Sequence, residues 1–129
     1  MNKINYGRQN IDQNDIDAVI STLQSDFLTQ GPKVKEFEFK FSEYVGSKYA
    51  VATNNATSGL HLSVLALNLK KGERVITTPI TFASSANCIR FAGGEVWFAD
   101  IDPKTYLLDI NSVKELIESK PKGFFKGII

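Results

Sequence analysis

Residues 49–69 read YAVATNNATSGLHLSVLALNL, a short β-like run that stops at a polar, small-residue turn and resumes as an amphipathic helix. Val51 is expected as a buried strand residue. Leu60, Val64, Leu65 and Ala66 recur at helical spacing, so the turn from Asn54 to Ser58 falls where a strand meets a helix N-terminus. Such an end suits an anion, because the first backbone N–H groups of a helix have no intrahelical partner and the macrodipole is positive there. Ala56, Ser58 and Gly59 are small enough to let an oxyanion approach the backbone, and the Thr57 and Ser58 hydroxyls can donate further hydrogen bonds. The plainer reading is that Asn55 or Thr57 only caps the helix. Taken alone, the turn favours the cap, since Asn and Thr are ordinary N-cap residues.

On the N-terminal side, residues 1–11 show no period and read as an arm that gains its conformation by packing elsewhere. Asp12 is the expected N-cap of a helix from Gln13 to about Ser25, with Ile16, Val19, Ile20 and Leu23 on one face and Asp15 in the first turn. Gly31 and Pro32 open a second helix with Val34, Phe37, Phe41 and Tyr44 or Val45 on its apolar face, and Gly46 closes it.

On the C-terminal side, Lys70, Lys71 and Gly72 end the central helix, and the pattern repeats. Arg74–Thr78 reads as a strand stopped by Pro79, Phe82–Ala92 as a helix closed by Gly93 and Gly94, and Glu95–Ala99 as a strand. Asp109 caps a helix marked by Val113, Leu116 and Ile117, and a last strand begins at Gly127. Strands alternating with helices predict an α/β fold with a mainly parallel sheet covered by helices on both faces. A sheet that stops in the first residues of a strand leaves an open edge, so the chain is expected to be the front part of a longer one.

The 129 residues carry 15 Lys and Arg against 14 Asp and Glu, a formal charge of +1, so no field calls for nucleic acid or an anionic membrane. Any anion site must be local. One cysteine, Cys88, leaves no intrachain disulfide, and neither a transmembrane-length apolar run nor a signal-peptide core is present, so a cytoplasmic protein is expected.

Four stretches are more specific: FLTQGPKVKEFEFKFSEYVGSKYAVATNNATSGLHLSVLAL, VITTPITFASSANCIRFAGGEVWFADID, PKTYLLDI and the closing KGII. In this order they resemble the N-terminal part of the DegT/DnrJ/EryC1/StrS sugar aminotransferases, pyridoxal 5′-phosphate enzymes of fold type I. Within that family, the early tyrosine, LTQG and the turn look most like the branch that makes the 4-amino sugar precursor of pseudaminic acid.

The resemblance implies residues 1–30 as an arm and first helix, and 31–129 as an incomplete cofactor-binding large domain. It implies that Ala56, Thr57 and Ser58 hold the cofactor phosphate, that Phe82 stacks on the pyridine ring, and that Asn87, one helical turn on, faces the same cavity. Core packing for Phe82 and a surface or capping amide for Asn87 are the plainer alternatives. Tyr6, Asp26, Phe27, Leu28, Thr29 and the Ala56 backbone correspond to contacts with a nucleotide sugar, although Phe27 stands where a polar residue is expected.

The implied reaction moves an amino group from glutamate to the C4 ketone of a nucleotide-linked deoxysugar, in a homodimer. The family's cofactor-bearing lysine and the aspartate for the ring nitrogen have no counterpart here, so no catalytic residue is assigned and these residues alone are expected to be inactive. A relative with histidine in place of that lysine performs dehydration instead. Asp100 and Asp102 form a D-x-D that would otherwise suggest a metal-dependent nucleotide-sugar transferase. Followed by Pro103, Thr105 and Tyr106, they read as a turn whose carboxylates cap local N–H groups. A non-catalytic α/β module is the third alternative. His61 has no partner at metal-ligand spacing and reads as structural, and Cys88 as a small core residue.

Overall fold

Asp12 ends the polar lead-in as an N-cap should. Its carboxylate accepts from the Asp15 N–H at 3.1 Å, and the Asp15 carboxylate accepts from the Asp12 N–H at 3.0 Å, closing a reciprocal capping box over α1 (Gln13–Leu23). In α2 (Pro32–Val45), proline occupies the first turn, where its missing N–H costs nothing. Gly46 leaves this helix at φ +67°, in the left-handed region that favours glycine. These elements belong to a computed structural model that describes residues 7–129, in which two compact units divide between Ala52 and Thr53.

The second unit carries α3 (Ala56–Ala66), β1 (Arg74–Thr77), α4 (Ser84–Phe91), β2 (Glu95–Phe98), α5 (Ile110–Glu118) and β3 (Phe125–Ile128). The three strands form a wholly parallel sheet in the order β2-β1-β3, with Arg74 opposite Glu95 on one side and Phe125 on the other. Val75, Ile76 and Thr77 are all buried, as a central parallel strand covered on both faces requires. Val75 packs with Val64, Leu69, Cys88 and Ile89 beneath α3 and α4. Ile76 packs with Ala99 and Val113 beneath α5. The expected fold class is therefore realised, with helices on both faces.

Gly94 permits the close approach of α4 to the sheet, since a Cβ there would lie 2.6 Å from Leu69 Cδ2 and 2.9 Å from Ile89 Cγ2. Trp97 of β2 meets Phe124 and Phe125 edge-on at 5.4 and 5.5 Å, and the Arg74 guanidinium lies 4.3 Å from the Phe124 centroid, which ties the start of β3 to the other two strands.

One expectation is overturned. Residues 49–53 form no strand, and Val51 is 78% exposed rather than buried. A β-run needs a neighbour for its backbone groups, and no strand among the described residues pairs with this one. Smaller differences follow local chemistry. β1 ends at Thr77, before the residue that precedes Pro79. α4 starts at Ser84, because Phe82 and Ala83 form a tighter lead-in turn with their carbonyls accepting from Ser85 and Ala86. β3 begins at Phe125, two residues early.

Candidate functional site

β1 and β2 are parallel neighbours, so α4 must return from the carboxyl end of β1 to the amino end of β2. α3 leads through residues 67–73 to the amino end of β1 and packs beside α4, with His61 meeting the Phe91 ring edge-on at 5.5 Å. Both helices thus start at the carboxyl end of the central strand, where open α/β sheets place their ligands.

At the start of α3, Asn55 is the cap: its Oδ1 accepts from the Ser58 N–H at 2.8 Å, and its carbonyl accepts from the Gly59 N–H and the Thr53 hydroxyl. Capping consumes the Ser58 amide. Among the described residues no acceptor meets the amides of Ala56 and Thr57, nor is the Thr57 or Ser58 hydroxyl engaged. A Cβ on Gly59 would come 3.4 Å from Thr53 Oγ1, which shows how near the first turn of α3 lies to its own lead-in.

Beside it, the Thr81 and Ser85 hydroxyls lie 3.2 Å apart. Phe82 stands 77% exposed, and Asn87 is exposed with its N–H donated to the Ala83 carbonyl at 2.9 Å. Two residues in this region that the sequence reading treated only as strand are Thr77 and Thr78, whose Oγ1 atoms are buried without a hydrogen-bond partner. Their signal was the replacement of Val-Ile by two hydroxyl residues immediately before a proline.

The proposed sugar contacts fall in the first unit. The Phe27 carbonyl accepts from the Ser25 hydroxyl at 3.3 Å and lies against Gly31, where a Cβ would come within 2.9 Å of it. Leu28 lines an apolar groove of about 420 Å³ with Val19, Thr22, Leu23 and Lys33. Asp26 and Thr29 are exposed, and Tyr6 lies outside the described residues.

Asp100 and Asp102 behave as turn caps. Asp100 accepts from the Ile101 N–H, and Asp102 accepts from the Lys104 and Thr105 N–H groups at 2.7 and 2.9 Å; the Thr105 and Lys104 amides hold the Asp102 carboxyl below its ordinary range. Among the described residues no group of three or more His, Cys, Asp or Glu is placed to hold a metal ion. Burial pushes the Cys88 thiol up, in keeping with a packed rather than reactive residue. No helix among the described residues is long and apolar enough to cross a membrane.

The model of the DegT/DnrJ/EryC1/StrS aminotransferase family matches residues 9–129. The chain belongs to that family. It is 51% identical over 98 residues to a UDP-4-amino-4,6-dideoxy-N-acetyl-beta-L-altrosamine transaminase of Campylobacter jejuni, covering 76% of this chain and 26% of that protein. The aminotransferase of Psychrobacter cryohalolentis superposes with a TM-score of 0.80 at 31% identity, over 92% of this chain and 30% of its own. The Escherichia coli GDP-4-keto-6-deoxy-D-mannose-3-dehydratase with bound hydrated pyridoxal phosphate does so with a TM-score of 0.80 at 33% identity, over 88% and 31%. The chain therefore has the fold of part of a fold type I enzyme and spans between 26% and 31% of the lengths of these relatives.

Proposed function

We propose that the complete protein is a pyridoxal 5′-phosphate-dependent aminotransferase. Its acceptor is a nucleotide-linked 4-keto-6-deoxy sugar and its donor glutamate, in pseudaminic acid or related surface polysaccharide biosynthesis. The observation that carries this reading is the start of α3: two amides with no acceptor among the described residues, at Ala56 and Thr57, flanked by two unengaged hydroxyls, in a member of a sugar aminotransferase family. The residues present fit the cofactor. Oriented amides at a helix N-terminus suit a phosphate dianion, and an exposed aromatic ring beside the same end of the sheet suits a flat heterocycle.

In this reading Ala56, Thr57 and Ser58 hold the phosphate, Phe82 covers one ring face and excludes water from it, and Asn87 adds an amide at the rim. Ser58 contributes through its hydroxyl, since its N–H is committed to Asn55. Tyr6, Asp26, Phe27, Leu28, Thr29 and the Ala56 backbone contact the sugar nucleotide. The bound cofactor supplies the electron sink across which nitrogen and a proton move between donor and acceptor. The lysine that carries it and the aspartate for its ring nitrogen are assigned to the complete protein, as are a homodimer, a cytoplasmic location and the division at residue 30. These 129 residues by themselves are proposed to be inactive. The dehydratase likeness supports a second reading, loss of a sugar hydroxyl in place of amino transfer.

The test is cofactor uptake by the complete protein. Titration with pyridoxal phosphate is expected to give a saturable visible absorbance, and Thr57→Val to weaken binding about tenfold or more, the worth of a hydrogen bond to a charged group. A complete protein that takes up no pyridoxal phosphate refutes the proposal. Product analysis with a 4-keto sugar nucleotide and glutamate then separates amino transfer from dehydration.

A further inference from the structure

Residues 49–53 stay out of the sheet, yet their backbone is not free. The Ala52 N–H donates to the Glu38 carboxylate at 2.8 Å, fourteen positions back in the sequence on α2. The other side-chain hydrogen bonds described before Ala52 reach four positions at most. Glu38 is also half-buried, while Phe37 and Phe39 beside it are exposed. A carboxylate that accepts a backbone N–H makes a charge-assisted bond, shorter and stronger than a neutral one. It gives Ala52 the acceptor that a strand neighbour would otherwise have supplied.

From Ala52 the chain runs directly into the turn at the start of α3. The Thr53 hydroxyl donates to the Asn55 carbonyl at 2.9 Å, and Asn55 Oδ1 accepts from the Ser58 N–H at 2.8 Å. Ala52 precedes Asn55 by three residues, a reach of about 10 Å at most, so a fixed Ala52 narrows the conformations open to Asn54 and Asn55 before any ligand arrives. Without the Glu38 bond, only local contacts such as that of the Ser47 hydroxyl with the Tyr49 carbonyl restrain this lead-in, and ligand binding would have to order it.

We propose that Glu38 is a positioning residue for the cofactor phosphate: by holding the Ala52 N–H it fixes the lead-in to Ala56 and Thr57, without itself touching the ligand. This rests on the function proposed above and extends it to a residue outside the turn.

The experiment measures dissociation constants for pyridoxal phosphate and for pyridoxal, which lacks the phosphate, in the complete protein and its Glu38→Ala, Glu38→Asp and Glu38→Gln variants. Glu38→Ala is expected to bind pyridoxal phosphate about three- to tenfold more weakly, part of the worth of a charge-assisted hydrogen bond, and to bind pyridoxal as the wild type does. Glu38→Asp keeps the charge but falls one methylene short, so it weakens binding likewise. Glu38→Gln keeps an acceptor oxygen at full reach and restores most of the affinity. Should the alanine variant fail to fold, the aspartate and glutamine pair carries the comparison. Amide exchange at Ala52 is expected to accelerate in the aspartate variant and not in the glutamine one. Wild-type affinity in Glu38→Asp overturns the proposal, as does a Glu38→Gln that binds as weakly as Glu38→Asp, or an equal loss for pyridoxal and its phosphate. A wild-type protein that takes up no pyridoxal phosphate overturns the function beneath it.

Discussion

The two units use the same local devices and end up with different interiors. In the first, α1 and α2 each have a well-formed start and an apolar stripe, Ile16, Val19, Ile20 and Leu23 on one and Val34, Phe37, Phe41 and Val45 on the other. Every one of these side chains is nevertheless exposed, and among the described residues of this unit only Gly31 and Ser42 are buried. In the second, three strands from distant parts of the sequence pair, and each face of the central one closes a core. Caps and periodicity suffice to make helices, whereas burial needs a partner surface, which the sheet supplies. Cooperative stability should therefore reside in the second unit.

The largest test of that contrast is Ile76→Ala. Ile76 is 0% exposed at the centre of the sheet, and truncation there is expected to cost about 2–5 kcal/mol, which a unit of this size cannot easily absorb. Urea unfolding followed by Trp97 fluorescence should show it. A midpoint unchanged by Ile76→Ala would break the assignment of stability to this core.

A smaller effect comes from paired cap deletions. Asp109 accepts from the Asn111 and Ser112 N–H groups over α5, a helix that covers a core, so Asp109→Ala should lower the same unfolding free energy by about 1 kcal/mol. Asp12→Ala removes an equally complete cap from α1, yet it should accelerate amide exchange within α1 and leave the Trp97 transition in place. Equal shifts from both substitutions would show that the units unfold as one.

The smallest effect is electrostatic. Hydrogen bonds from Lys33 and Lys40, at 2.8 and 2.7 Å, hold the Glu36 carboxyl at about 2, below its ordinary 4.5. A carboxylate depressed in the folded state stabilises above its unfolded value, and that contribution is lost as pH falls from 4.5 through about 2. The pair is exposed, so the change in α2 helicity should be slight and should shrink in high salt. Glu36→Gln is expected to flatten this part of the acid profile. A profile that keeps its full slope in the variant would assign the slope to other carboxylates.

Much of this architecture was legible from residues a few positions apart. The Asp12 box, the Gly31-Pro32 start and Gly46 stop of α2, and the Asp109 cap are local chemistry, and the structure places each at its expected residue. Asn55 shows where local reading halts: the turn announces both a cap and an anion-binding end, and both descriptions apply, because capping engages the Ser58 amide while those of Ala56 and Thr57 meet no acceptor among the described residues. The Thr77 and Thr78 hydroxyls were not legible as anything but strand, since whether a hydroxyl finds a partner depends on atoms far away in sequence.

The amino-acid order by itself determined where helices begin and end, the α/β alternation and the family, because caps, turns and periodicity act over one or two turns of chain. Tertiary structure alone decided which apolar stripes are covered, that 49–53 stays out of the sheet, and which polar atoms at the end of β1 are left without partners. Those outcomes depend on pairing between segments dozens of residues apart, and a strand or a hydroxyl is satisfied only by what folding brings beside it.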